Sequence, residues 1–184
     1  MTDEATTQII KAVPSQTDTS LLDTLRTRRD EHAVAQTVEM EVPGYNGMVA
    51  LRLRALTGRE QTQVATRLER SRSPEKELTA NMDTLILACD EVVVRGEYGE
   101  PWQSLGSYDG DEPVAIDARL VELLHLTPTT DTARETLRSL FALAPSPDLA
   151  IGSVVNDYID WMRAANDEID REFVGESPGS PTSR

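Results

Sequence analysis

The sequence predicts a mainly α fold with a small antiparallel β hairpin, an α+β arrangement in a single helical domain with disordered termini. Three observations lead to this prediction. Two neighbouring segments alternate apolar and polar residues with a period of two, and several later segments repeat apolar residues at helical spacing. Both ends of the chain are polar or rich in turn-forming residues.

The two termini set the bounds of the predicted domain. Residues 1–19 are rich in Thr, Ser, Gln and Asp, so we expect a disordered N-terminal segment. Residues 175–184 read GESPGSPTSR, a composition typical of a flexible C-terminal tail. The intervening residues 20–174 contain neither a long linker nor an internal repeat, and we expect them to form one mostly helical domain.

The first element of this domain is predicted to be a helix over residues 20–33, with Leu21, Leu22 and Leu25 along one side. Two strands follow, because strict alternation of apolar and polar residues is typical of strands with one buried face. The alternating segments are TVEMEV at 37–42 and VALRLR at 49–54, joined by the turn sequence PGYNG.

These strands are predicted to pair as an antiparallel hairpin. A register that places Glu39 or Glu41 across from Arg52 or Arg54 brings the apolar positions together on the other face. We expect the apolar face to lie on the core and the glutamate–arginine face to lie in water.

Thr57 and Glu60 mark the start of the next helix. They occupy the two ends of a capping box, in which each side chain accepts a hydrogen bond from the other residue's backbone N–H. This polar helix is predicted to end near Arg72, and Pro74 suits the first position of another helix. The second helix has a buried stripe of Leu78, Met82, Leu85, Ile86 and Cys89. We interpret Cys89 as a small core residue and not as a reactive thiol.

A short strand and an irregular segment are predicted next. EVVVR at 91–95 has the composition of a strand, GEYGEP at 96–101 that of a turn, and the chain to Val114 has no clear period. Asp117 is predicted to cap a short helix. That helix holds Leu120, Leu123 and Leu124.

Two further helices complete the predicted domain. One follows Pro128 and buries Ala133, Leu137, Leu140 and Phe141. Pro145 and Pro147 then break the chain, and the longest helix is predicted from 148 to 173. Its apolar stripe consists of Ile151, Val155, Tyr158, Met162, Ala165, Ile169 and Phe173, widened by Val154 and Trp161.

Composition restricts the classes of function. The formal net charge of −14 opposes binding to nucleic-acid phosphates and to anionic membranes, and it favours basic protein partners. The apolar runs are too short to cross a bilayer, MTDEATTQIIKAV is not a signal peptide, and a single cysteine excludes an internal disulfide. We therefore expect a soluble protein of the cytosol.

The candidates for catalysis are few. His32 and His125 have no second histidine or cysteine at ligand spacing, and the run from Asp109 to Glu112 lacks the alternating ligands of a calcium loop. Phosphate-binding and nucleophile-elbow motifs are absent from the sequence. We expect no enzymatic activity, no cofactor and no metal site.

Charge is distributed unevenly along the chain. Residues 49–72 contain six arginines and two glutamates, whereas residues 148–176 contain eight carboxylates and two arginines. The two segments could associate head to tail between copies of the chain, giving a homo-oligomer, or fold onto one another. The alternative is two solvated surfaces that never meet.

The order of these features resembles the tail assembly chaperones of long-tailed, siphovirus-type bacteriophages of actinobacterial hosts. The alternating strand before LTGRE and the closing helix carry the resemblance, together with three segments between them. The three segments are TLILACDEVVVRGEYGEPW (84–102), VAIDARLVELLHL (114–126) and TARETLRSLFA (132–142), and the closing helix is IGSVVNDYIDWMRAANDEID (151–170).

The resemblance implies a function and a set of partners. Such proteins bind the long, helical tape measure protein in the host cytoplasm before the tail tube polymerises around it, and they are absent from the mature virion. Many exist in two lengths through ribosomal frameshifting. The resemblance therefore implies the tape measure protein as partner, with the tail tube protein and a longer frameshifted form as further partners, and neither nucleic acid nor membrane.

If the chain binds such a client, two groups of residues are the first candidates for contact. Tyr158, Trp161 and Met162 lie on the terminal helix, where methionine and aromatic side chains suit an adaptable helix groove. The alternative is that these three residues pack in the core. The second group, in the irregular segment, consists of Trp102, Tyr98 and Tyr108.

Two other classes of function compete with this interpretation. A structural virion component, such as a connector or minor tail protein, would remain in purified particles. An acidic inhibitor that mimics DNA would need carboxylates spaced like phosphates, and the arginines between Arg52 and Arg72 argue against it.

Overall fold

The computed structural model describes residues 23–24, 27–28, 31, 36–70, 72–97, 99–110 and 112–175, with side chains up to Asp167. The predicted disordered segment 1–19 lies outside the described residues, as does the predicted tail apart from Gly175. Of the helix predicted over 20–33, the described residues Asp23, Thr24, Thr27, Arg28 and Glu31 are helical, and the others lie outside the described set.

Four antiparallel strands form one sheet in the order β1-β2-β3-β4. The strands are β1 (Thr37–Glu41), β2 (Val49–Arg54), β3 (Cys89–Val94) and β4 (Gln103–Ser104). The fold is therefore α+β, as predicted. The predicted hairpin is one half of a larger sheet, since β3 returns to pair with β2 and a two-residue strand, which the sequence analysis missed, extends the other edge.

The pairing of β1 with β2 follows the predicted alternation. Glu39 lies opposite Arg52, and Met40 lies opposite Leu51. The prediction that the glutamate–arginine face lies in water was wrong in part, because β3 places Glu91 beside Arg52. Arg52 donates hydrogen bonds to Glu39 at 3.0 Å and to Glu91. Glu91 is only 9% exposed. A central strand has neighbours on both sides, so its charged side chains are partly shielded from solvent.

Helices pack against this sheet and share its hydrophobic core. Among the described residues the α-helices with defined bounds are α1 (Gly58–Glu69), α2 (Pro74–Ala88), α3 (Ala118–Leu123), α4 (Ala133–Leu140) and α5 (Pro147–Gly175). Short 3-10 helices span Leu105–Tyr108 and Phe141–Leu143. The predicted caps are confirmed: Thr57 and Glu60 form the capping box of α1, and Asp117 accepts from the first N–H groups of α3.

The boundary between α2 and β3 differs from the prediction. The buried stripe of α2 was predicted to include Cys89, but the helix ends at Ala88 and the chain becomes extended at Cys89. The extended conformation lets Val92 and Val93 reach fully buried positions in the sheet. Cys89 still packs against the core, as predicted.

One continuous hydrophobic cluster joins the sheet to α2, α4 and α5. Its largest fully buried side chains include Tyr158, Phe141, Leu51, Leu53, Leu56 and Leu85. Helix α5 packs against α2 and contacts β1. Its predicted stripe is buried at Ile151, Val155, Tyr158, Met162 and Ala165, whereas the side chains of Ile169 and Phe173 lie outside the described residues.

Candidate partner-binding site

The first predicted contact group lies mostly inside the molecule. Tyr158 is fully buried and Met162 nearly so, while Trp161 is half-buried and stacks on Tyr158 with 5.9 Å between ring centroids. Trp161 also packs against Ala55, the residue after β2. Tyr158 and Met162 are therefore core residues in this structure, which is the alternative left open by the sequence, and only Trp161 offers an edge to a partner.

Tyr158 is held in place by the end of strand β2. Its hydroxyl donates to the backbone carbonyl of Arg54 at 2.8 Å, and burial raises the pKa of the phenol above its ordinary value. The side chain of Arg54 turns to Glu60 on α1 and donates to both carboxylate oxygens, at 2.8 and 2.9 Å. It also donates to the carbonyl of Leu87 at 3.3 Å, so one arginine ties the sheet to both α1 and α2.

The carboxylate of Glu60 is strongly stabilised in its charged form. The hydrogen bonds from Arg54 are the main cause, and those from Thr57 add to them, so that the pKa of Glu60 falls from 4.5 to about 2. Desolvation opposes this shift but does not cancel it. Glu60 therefore stays ionised in the folded protein at any pH above about 2, and it stabilises the fold only while it is ionised.

We expect the Arg54–Glu60 pair to make stability depend on acid pH. Because the folded pKa lies below the unfolded one, the contribution is complete above about pH 4.5 and is lost as the pH falls from there to about 2. Glu60→Gln should lower the free energy of unfolding by about 1.5–3 kcal/mol at pH 7. Glu60→Gln should also flatten the loss of stability between pH 4.5 and 2, as measured by urea denaturation at each pH.

The matched control is Glu69→Gln, at the exposed end of the same helix. It should leave the free energy of unfolding at pH 7 within about 0.5 kcal/mol of the wild type. Equal pH profiles for Glu60→Gln and the wild type would contradict the low pKa of Glu60.

The structure describes two of the three residues in the second predicted contact group. Trp102 precedes β4 and lies under the guanidinium of Arg95, at 4.1 Å from the ring centroid. Tyr108 ends the first 3-10 helix and is 68% exposed. Tyr98 lies outside the described residues. The two described members, Trp102 and Tyr108, do not stack on each other, and the role of this group in partner binding stays a prediction.

A groove lies between α1, α2 and α5 in the described part of the chain. It encloses about 620 Å³ and is open along one side. Leu68 of α1, Leu78 of α2, and Leu149 and Ile159 of α5 supply its apolar lining. Leu149 is 75% exposed, although a leucine at that position would gain free energy by being covered.

The rim of the groove is acidic. Glu75 and Glu77, in the first turn of α2, and Asp148, in the first turn of α5, line it, and no arginine or lysine does among the described residues. Asp148 and Leu149 also line a smaller depression of about 390 Å³, where Arg138 pairs with Asp148 at 3.7 Å. An apolar strip between carboxylates is suited to an amphipathic partner that carries positive charge beside its apolar side chains.

A second pattern in the sequence of α5 marks the residues that line this groove. Leu149, Gly152, Asn156 and Ile159 recur at helical spacing on α5, beside the buried stripe. The buried stripe is the stronger pattern because it is continuous and wholly apolar. The second face contains only two large apolar residues, so composition alone does not separate it from a solvated surface.

Three arginines of the arginine-rich segment, Arg52, Arg54 and Arg67, form ion pairs with neighbouring carboxylates. Arg54 pairs with Glu60 and with Asp90 at 3.5 Å, and Arg67 pairs with Asp83 of α2 at 3.3 Å. These arginines therefore serve the sheet and the helices beside it. Among the described side chains, this segment contacts the acidic terminal helix through the hydrogen bond from Tyr158 to the Arg54 carbonyl and through the packing of Trp161 on Ala55.

Cys89 has the properties of a structural thiol. Burial, followed by the negative charges of Asp90, Glu91 and Asp117, raises the pKa of Cys89 to about 12. In the described part of the chain, no three side chains of the His, Cys, Asp and Glu types are grouped so as to hold a metal ion. None of the described helices combines the length and the apolar character needed to span a bilayer.

Comparison with protein-family models, with curated proteins and with solved structures gives no significant match.

Proposed function

We propose that this protein is a tail assembly chaperone that binds the tape measure protein of a long-tailed phage and keeps it soluble while the tail tube assembles, without catalysing a reaction. The observation that carries the proposal is the open groove beside α5, where Leu149 is three-quarters exposed on a strongly acidic protein. An exposed apolar strip is a surface that another apolar strip can cover.

The physical basis combines attraction at one surface with repulsion over the rest. A client with exposed apolar helices aggregates when those helices meet each other. A protein that covers them and carries a net charge of −14 keeps the resulting complexes apart by charge repulsion. The proposed action is stoichiometric binding in the host cytoplasm, and it ends when the tube replaces the chaperone.

The test is co-expression with the tape measure protein encoded by the same phage. We expect the soluble fraction of the tape measure protein to rise several-fold in the presence of this chain and not in the presence of an unrelated acidic protein of equal size. An unchanged soluble fraction would overturn the proposal.

Mass spectrometry of purified particles separates the proposal from a structural role. A chaperone leaves before maturation, so the chain should be absent or present at far below one copy per tail. Stoichiometric recovery from mature particles would instead identify a virion component.

A further inference from the structure

We infer that the groove between α1, α2 and α5 is the client-binding site, and that it takes an amphipathic helix of the tape measure protein with lysine or arginine beside its apolar stripe. This inference rests on the proposed function and adds the binding surface and the chemistry of the segment bound. It replaces Tyr158 and Met162, which are buried, as the principal contact residues.

The length of the groove along α5 is sufficient for a helix of about three turns. From Leu149 to Ile159 the groove side of α5 extends for about three turns, or about 15 Å. Across from it, Leu68 and Leu78 close the apolar lining from α1 and α2. A client helix with apolar residues at positions i, i+3 or i+4, and i+7 would place one side chain per turn in this space.

Small residues leave the room that such a helix needs. Gly152 lies in the middle of the groove side of α5 and is followed by Ser153. A Cβ added at Gly152 would meet only the Asn81 amide nitrogen, at 3.8 Å. No packing constraint of the fold therefore requires glycine here, even though glycine weakens a helix interior relative to alanine.

Charge determines which apolar helix fits. Glu75, Glu77 and Asp148 are exposed around the strip. A client helix flanked by carboxylates would be repelled, whereas one flanked by lysine or arginine would gain attraction at every turn and bind faster at low salt. The partner is thus a basic amphipathic segment.

The test uses two groove variants and two matched controls in the full-length protein. Gly152→Met fills the groove with a good helix former, and Leu149→Lys replaces the exposed apolar contact by a positive charge. Gly152→Ala adds only one methyl group, and Leu143→Lys changes a leucine that is 61% exposed and does not line the groove. Circular dichroism melts should show that all four variants remain folded.

The first probe is a labelled 20-residue helical peptide with leucines at heptad spacing flanked by lysines, and binding is followed by fluorescence anisotropy. We expect Gly152→Met and Leu149→Lys to weaken binding by at least about tenfold, because each removes the burial of at least one large apolar side chain. The two controls should bind within about twofold of the wild type. A peptide with glutamates in place of the lysines should bind at least about tenfold more weakly to the wild type.

The second probe is the tape measure protein itself, co-expressed with each variant. Loss of its solubility with the groove variants, and retention with the controls, supports both the function and the site. If the tape measure protein stays fully soluble with Gly152→Met and Leu149→Lys, the groove is not the client-binding site, while the chaperone function stands. Peptide binding that depends on the groove, without any effect of the wild type on the tape measure protein, would overturn the chaperone function and the identity of the occupant.

Discussion

Tyr158→Ala should lower the free energy of unfolding by about 3–5 kcal/mol, the range for deleting a large buried aromatic side chain. Tyr158 is fully buried at the centre of α5, and its hydroxyl satisfies the carbonyl of Arg54. The substitution leaves a cavity beside Trp161 and an unpaired carbonyl at the end of β2. Urea denaturation followed by circular dichroism should show a lower midpoint, and the dependence on urea concentration should stay unchanged.

Tyr158→Phe separates the two parts of this effect. It keeps the ring and its stacking on Trp161 but removes the hydrogen bond, so we expect a loss of about 0.5–1.5 kcal/mol. A loss below about 1 kcal/mol for Tyr158→Ala would contradict the buried position of Tyr158 and would return this residue to the surface contacts.

The same pair of variants limits what mutations of the terminal helix reveal about client binding. If Tyr158→Ala lowers stability strongly and abolishes client capture, while Tyr158→Phe lowers stability only slightly and preserves capture, the loss with Tyr158→Ala does not identify Tyr158 as a contact residue. Groove residues such as Leu149 are better suited to this question, because an exposed side chain can change without creating a cavity.

Gly44→Ala should lower the free energy of unfolding by about 2–4 kcal/mol, through two costs at one position. Gly44, in the turn between β1 and β2, has a φ of +100°, a conformation that L-residues rarely adopt. A Cβ there would also lie 2.6 Å from the Cβ of Leu143 and 2.7 Å from its carbonyl carbon. The neighbouring 3-10 helix would have to move, and overpacking of this kind costs about 1–3 kcal/mol.

Gly110→Ala is the matched control for Gly44→Ala. Gly110 has a nearly identical φ of +96°, but a Cβ there would meet nothing within 4 Å. It should therefore show only the backbone cost, about 1 kcal/mol, in the same denaturation measurement. Equal losses for the two variants would mean that the turn does not pack against the 3-10 helix.

The sequence predicted those features that depend on near neighbours in the chain. The alternation of TVEMEV and VALRLR predicted a register with Glu39 or Glu41 across from Arg52 or Arg54, and Glu39 lies opposite Arg52. A one-residue slip would turn every apolar side chain to the wrong face. Thr57 and Asp117 predicted two helix starts, since a cap bonds to backbone groups only two or three residues away. Helical spacing predicted the buried stripe of α5 through Ala165.

Other predictions were wrong because they depended on residues distant in the chain. The predicted hairpin is part of a four-stranded sheet, because β3, some 40 residues after β2, pairs with β2 and places Glu91 beside Arg52. Cys89 fits the helical period of α2, but strand pairing takes the chain out of the helix there. A pattern of neighbouring residues cannot show whether the chain continues as a helix or becomes a strand at this point, because pairing with β2 decides it.

The sequence by itself determined the charge of −14, the class of fold, the caps of its helices and the face of α5 that enters the core, since each follows from composition or from contacts within a few residues. The tertiary structure alone decided that Tyr158 is inside and Leu149 outside, and that a groove exists at all. Leu78 and Ile159 line that groove from helices about 80 residues apart in the chain, and only the packing of α5 on α2 brings them together.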